Sequence, residues 1–107
     1  MAFSIKQNDT APSLRATLKN GSGTVIDLTN ATVRFHMKAV GETSVKVDAA
    51  ANIIDAEGGV VQYNWGASDT DTAGSYYAEF EVTYSDGTIE TFPNNSNLSI
   101  SIRAELN

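Results

Sequence analysis

At 107 residues, with seven lysines and arginines against thirteen aspartates and glutamates, the chain carries a net charge of −6 and has no cysteine. That length holds one domain, residues 1–107, with a modest core. The missing cysteine excludes a disulfide framework and a thiolate nucleophile, and the acidic balance argues against nucleic acid and anionic membrane surfaces as partners.

The first ten residues contain no apolar stretch of signal-peptide type, so no export signal is expected. No window approaches the roughly 18 apolar residues of a membrane helix. Five Asn-x-Ser/Thr triplets, at Asn8, Asn20, Asn30, Asn94 and Asn97, read as polar loops rather than glycosylation sites.

Along the chain, Phe3 to Gln7 forms a first short strand, interrupted at Asp9-Thr-Ala-Pro12. Leu14, Ala16 and Leu18 alternate with Arg15, Thr17 and Lys19 as a second strand, and Asn20-Gly-Ser-Gly23 is a turn. Thr24 to Leu28 reads as a further short strand. In Thr32 to Lys38, Val33, Phe35 and Met37 face the core while Arg34, His36 and Lys38 face water. Ser44 to Ala49 is another strand. The Asp48-Ala-Ala-Ala-Asn52 run leans helical but is too short to stand as a helix, which leaves strand or turn. Asn52 to Asp55 is a brief strand, and Glu57-Gly58-Gly59 turns into Val61, Tyr63 and Trp65.

The clearest alternation follows. Tyr76, Ala78, Phe80, Val82 and Tyr84 point one way, and Tyr77, Glu79, Glu81 and Thr83 the other. Asp86-Gly87 is a hairpin pair, Thr88 to Phe92 returns, and Pro93 ends that strand. Leu98, Ile100, Ile102, Ala104 and Leu106 form a long closing strand. About seven to nine short strands separated by turns predict an all-β protein, an antiparallel β-sandwich without a disulfide.

Residue types that carry chemistry are sparse. Asp69 and Asp71, with Asp55 and Glu57, supply oxygens of the kind calcium takes, but their spacing fits no dedicated loop and suits turn formers equally well. His36 is the only histidine, which leaves a zinc site or catalytic triad without partners and favours a solvent-facing strand residue. Tyr63 and Trp65 share a face with Val61, so core packing competes with an aromatic sugar platform. Glu79 and Glu81 are neighbours on one exposed face rather than a pair across a cleft. Tyr77 lies on that outward face and is a candidate for protein contact. No metal or cofactor is expected.

Ala73-Gly-Ser-Tyr-Tyr-Ala78 resembles the strand F motif of immunoglobulin-like domains, with Tyr76 at the tyrosine-corner position and Ala78 where the disulfide cysteine would stand. Taken whole, the chain resembles the immunoglobulin-like domains at the N-terminus of bacteriophage upper-baseplate proteins and related short tail proteins. The matching stretches are Ile5 to Leu14, Val25 to Phe35, Val45-Lys-Val47, Gly59 to Trp65, Ala73 to Phe80, Tyr84 to Gly87 and Glu90 to Pro93.

The resemblance implies a non-enzymatic virion protein, made in the host cytoplasm. It would be an adaptor or accessory subunit of the tail or baseplate, present in several copies of a symmetric assembly and docked on other phage virion proteins. A capsid decoration or neck protein, and a carbohydrate-binding or cell-surface-adhesion module, are the alternatives. Edge strands are natural docking elements. The first and last strands are therefore the expected contact segments, with Phe3, Ile5, Leu98, Ile100 and Ile102 joining Tyr77 as candidate contact residues.

Overall fold

The computed structural model describes residues 2–94 and 97–106 and is built of eight strands. They are β1 (Ala2–Lys6), β2 (Leu14–Thr17), β3 (Thr32–Ala39), β4 (Val47–Asp55), β5 (Val60–Tyr63), β6 (Gly74–Thr83), β7 (Ile89–Phe92) and β8 (Leu98–Arg103). Their spatial order is β1-β8-β6-β3-β4-β5-β2, with β7 beside β6. The expected all-β class stands, but the pairing is not antiparallel throughout. β1 runs parallel to β8, Ala2 opposite Ser99 and Lys6 opposite Arg103.

Two strands organise the rest. β6 takes β3 along one edge over its whole length, and on the other edge takes β8 at Gly74–Ala78 and β7 at Phe80–Thr83. β4 pairs with β3 through Val47 to Ala51 and then with β5 from Asn52 onward, with a register shift between Ile53 and Asp55. The ladder therefore curls round one core, and β4 belongs to both of its halves. The alanine run that leaned helical is the middle of this strand. Ala49 and Ala51 stand opposite Phe35 and Val33, where small side chains make room for the larger ones, so packing overrides local propensity.

The core follows the period-2 pattern. Phe35, Phe80, Leu14, Val61, Val82, Leu98 and Phe92 are all but fully buried, each contributing on the order of 1.5–3 kcal/mol. Phe35 lies at the centre. It stacks on Tyr63 with ring centroids 4.3 Å apart, meets Trp65 edge-on at 5.7 Å and tilts against Phe80 at 5.3 Å. Tyr63 and Trp65 are thereby core residues. The indole N–H of Trp65 is buried and has no hydrogen-bond partner among the described residues.

Some expected strands shift or shrink. Thr24 to Leu28 is not a strand; its one ladder-type pairing among the described residues is an isolated Lys19–Val25 bridge. What holds that connection is a close approach. The Leu18 N–H donates to the Gly59 carbonyl at 2.8 Å, and the Ile26 N–H donates to the Leu18 carbonyl at 2.9 Å. The three segments meet where Gly59 takes φ +70°. Beyond β8, Ala104 and Leu106 carry the alternation on without pairing. The Asp86-Gly87 hairpin forms as expected, closed by Tyr84 N–H to the Thr88 carbonyl at 2.9 Å, with Gly87 at φ +88°.

Candidate functional site

The outer face of the larger half carries the polar side chains of three adjacent strands. The parity that buries Val33, Phe35 and Met37 turns Arg34, His36 and Lys38 outward on β3. The register sets His36 between Asp48 of β4 and Glu79 of β6. Its Nε2 lies 3.2 Å from Asp48 Oδ1 and its Nδ1 3.5 Å from Glu79 Oε1. Arg34 donates from Nε to the same Asp48 oxygen at 2.9 Å and from its terminal nitrogen to the Asp48 carbonyl at 3.0 Å. The Arg34 hydrogen bond, ahead of all other influences, holds the Asp48 carboxyl below its usual range.

His36 faces outward as the alternation predicts, but carboxylates flank it on both sides. Its side chain is 22% exposed and both ring nitrogens face carboxylates, so neither is turned toward a third group. The signal was present in the parity of Asp48 and Glu79, but only the strand order brings them to one row.

Beside this row lies an open groove of about 580 Å³, bounded by Tyr77, Lys38, Val45, Thr43 and Asn97 as well as His36, Asp48 and Glu79. Tyr77 is 41% exposed and Val45 56%, which places an aromatic ring and a branched aliphatic side chain at the surface among charges of both signs. An exposed aromatic within a mixed polar setting has the composition of a protein-contact surface.

The other contact candidates sit differently. Ile5, Leu98, Ile100 and Ile102 are buried. Phe3 is half-buried, stacked on Trp65 at 5.9 Å. The row along β8 faces the core, and β8 itself lies between β1 and β6, so it offers no free edge. The expectation that the closing strand presents an edge is corrected on this point. The edge belongs to β1, which among the described residues pairs only with β8.

Of the four acidic residues weighed as calcium ligands, the three aspartates each have a local task, and Glu57 sits in the turn before Gly58. Asp69 accepts hydrogen bonds from the Tyr63 hydroxyl and, at 2.7 Å, from the Gly66 N–H. Burial first, and Asp69 second, push the Tyr63 hydroxyl well above its ordinary pKa. Asp71 pairs with Lys46 at 2.7 Å, and Asp55 accepts from the Gly58 N–H at 3.1 Å. Among the described residues no three histidine, aspartate or glutamate side chains converge to hold a metal. Tyr76, in the corner position, donates its hydroxyl to the Thr72 carbonyl four residues upstream at 2.6 Å.

Residues 2–106 match the family model described as the BppU N-terminal domain. No curated protein matches the chain. Among solved structures, CopC from Methylosinus trichosporium OB3b is similar in fold. Its TM-score is 0.54 at 12% identity, covering 97% of this chain and 85% of that one, a likeness of architecture alone.

Proposed function

Because the chain belongs to the BppU N-terminal domain family, a domain of the phage upper baseplate protein, we propose that it is a non-enzymatic structural subunit of the tail or baseplate, an adaptor or accessory that docks on other virion proteins. The observation that carries this reading is the family match over residues 2–106, essentially the whole chain. Phage baseplate membership makes the protein a virion component; synthesis in the host cytoplasm and several copies in a symmetric assembly belong to the same proposal. In such an assembly, modest single contacts add up through effective concentration.

The surface best suited to docking is the Tyr77 groove. Tyr77 and Val45 supply apolar area, and the Asp48–His36–Glu79 row supplies a fixed set of charges beside it. The free edge of β1, with Phe3 behind it, is a second contact element. Ile5, Leu98, Ile100 and Ile102 serve such contact indirectly, by holding β1 and β8 to the core. The reading also takes the fold as an immunoglobulin-like sandwich. It is supported by the Tyr76 hydroxyl bonded to Thr72 and by β4 crossing between the two halves.

The test uses a phage carrying Tyr77→Asp. The variant is expected to fold, because Tyr77 is exposed, yet to be missing from purified particles by mass spectrometry. Incorporation at the normal copy number would remove the groove from the proposal. Absence of the unmodified protein from particles would remove the virion role itself.

A further inference from the structure

The outer face that bears the Tyr77 groove is divided by sign. β3 turns Arg34, His36 and Lys38 outward, and β6 beside it turns out Tyr77, Glu79 and Glu81. The register sets them in rows, with Lys38 opposite Tyr77, His36 opposite Glu79 and Arg34 opposite Glu81. A basic stripe therefore runs beside an acidic one. The chain does not use up these charges itself. Arg34 leans away to Asp48, and among the described residues neither Lys38 nor Glu81 takes part in a salt bridge.

Such a face is its own complement. A twofold axis along the strands, midway between β3 and β6, turns the face over and exchanges the two strands. Each residue of one copy then lies over the residue of the other copy that it already neighbours in its own sheet. His36 comes over Glu79 and Arg34 over Glu81. Lys38 comes over the exposed ring of Tyr77, whose face attracts a cation. Every contact occurs twice, as an isologous pair requires. The exposed Val40 fits the same axis. Its N–H donates to the Ser75 carbonyl at 3.0 Å, so it comes over a serine, whose small side chain leaves room for it.

The other twofold that puts these faces together runs across the strands. It lays β3 on β3 and β6 on β6, with Arg34 over Lys38 and Glu79 over Glu79. Like charges set against each other are strongly disfavoured at an interface, so the sign pattern selects the first axis.

We infer that the outer β3–β6 face pairs with the same face of a second copy of this chain, basic stripe on acidic stripe, about the twofold along the strands. The pairing rests on the reading of this face as a contact surface and names its occupant.

The test exchanges the charges of one row. Arg34→Glu sets carboxylate against carboxylate at both ends of the pair, and Glu81→Arg sets guanidinium against guanidinium. By sedimentation velocity each variant alone is expected to self-associate at least about tenfold more weakly than the parent. Mixed in equal amounts, the two are expected to associate with the affinity of the parent, because acid then meets base at both places. Circular dichroism checks the folding of each variant. A dilution series on the unmodified chain needs no variant, and its amide shifts should move along Arg34–Lys38 and Tyr77–Glu81. A parent that stays monomeric at about 1 mM would overturn the pairing. So would a mixture that associates no better than its components, or shifts centred on another face. A dimer in solution together with normal incorporation of Tyr77→Asp into particles would refute docking of the groove on other virion proteins and leave the pairing standing. A monomer whose Tyr77→Asp form is missing from particles would refute the pairing alone.

Discussion

Replacing Tyr76 by phenylalanine removes one oxygen and leaves the buried ring in place. Tyr76 is 3% exposed and its hydroxyl donates to the Thr72 carbonyl at 2.6 Å. A net intramolecular hydrogen bond is worth about 0.5–1.5 kcal/mol, more if the abandoned partner is left dry. Thr72 is exposed, so water takes over its carbonyl and no further penalty is due. The expected loss is therefore about 1 kcal/mol, or about 4–8 °C in Tm for a domain near 100 residues. Tyr77→Phe is the control. It lies one residue along, on the opposite face and 41% exposed, and a surface change of that kind stays within about 0.5 kcal/mol. Equilibrium urea unfolding of both variants, with unchanged m-value, measures the difference. The reasoning is refuted if Tyr76→Phe lies within about 0.3 kcal/mol of the parent, or if the two substitutions cost the same.

Gly59→Ala should destabilise the fold by more than about 2 kcal/mol, because φ there is +70° and an added Cβ would sit 2.8–2.9 Å from the Ile26 and Leu18 carbonyl oxygens. Gly87→Ala, at φ +88° with nothing nearby, should cost only the conformational part, and equal losses in urea titrations would discount the close approach. The third expectation concerns alkaline pH. Burial first, then the Glu90 carboxylate that accepts its hydroxyl at 2.8 Å, push Tyr84 up to about 12. A folded-state pKa above the unfolded one gives stability that is intact below about pH 10. It is lost as pH rises from there toward 12, because the unfolded chain releases its proton first. Tyr84→Phe should therefore lose less stability between pH 8 and 11 than the parent does, and coinciding slopes would contradict the assignment.

Much of the fold was legible because alternation is a local signal. The faces of β3 and β6 are those that Val33, Phe35, Phe80 and Val82 announce. What local pattern does not carry is the neighbour across the sheet. Nothing near Leu98 or Ile100 in sequence says that β8 lies inside the sheet, or that β1 joins it in parallel. An apolar row on a terminal strand looks the same whether it faces a partner or its own core. The same gap hid the groove. Tyr77 was legible as outward, whereas the carboxylates beside His36 come from strands 12 and 43 residues away in the chain, joined only by register. The Ala49–Ala51 run left strand or turn open and is strand; its purpose, room for Phe35, is visible only from the opposite strand.

The parallel pairing of β1 with β8 has a mechanical consequence. Ala2 lies opposite Ser99 and Lys6 opposite Arg103, so a pull on the leading end of β1 against the trailing end of β8 slides the strands lengthwise past one another. All the bonds between them must then yield together, whereas an antiparallel hairpin opened from its tips gives way one bond at a time like a zip. A subunit strung between two others in a structure under tension would resist stretching at this seam.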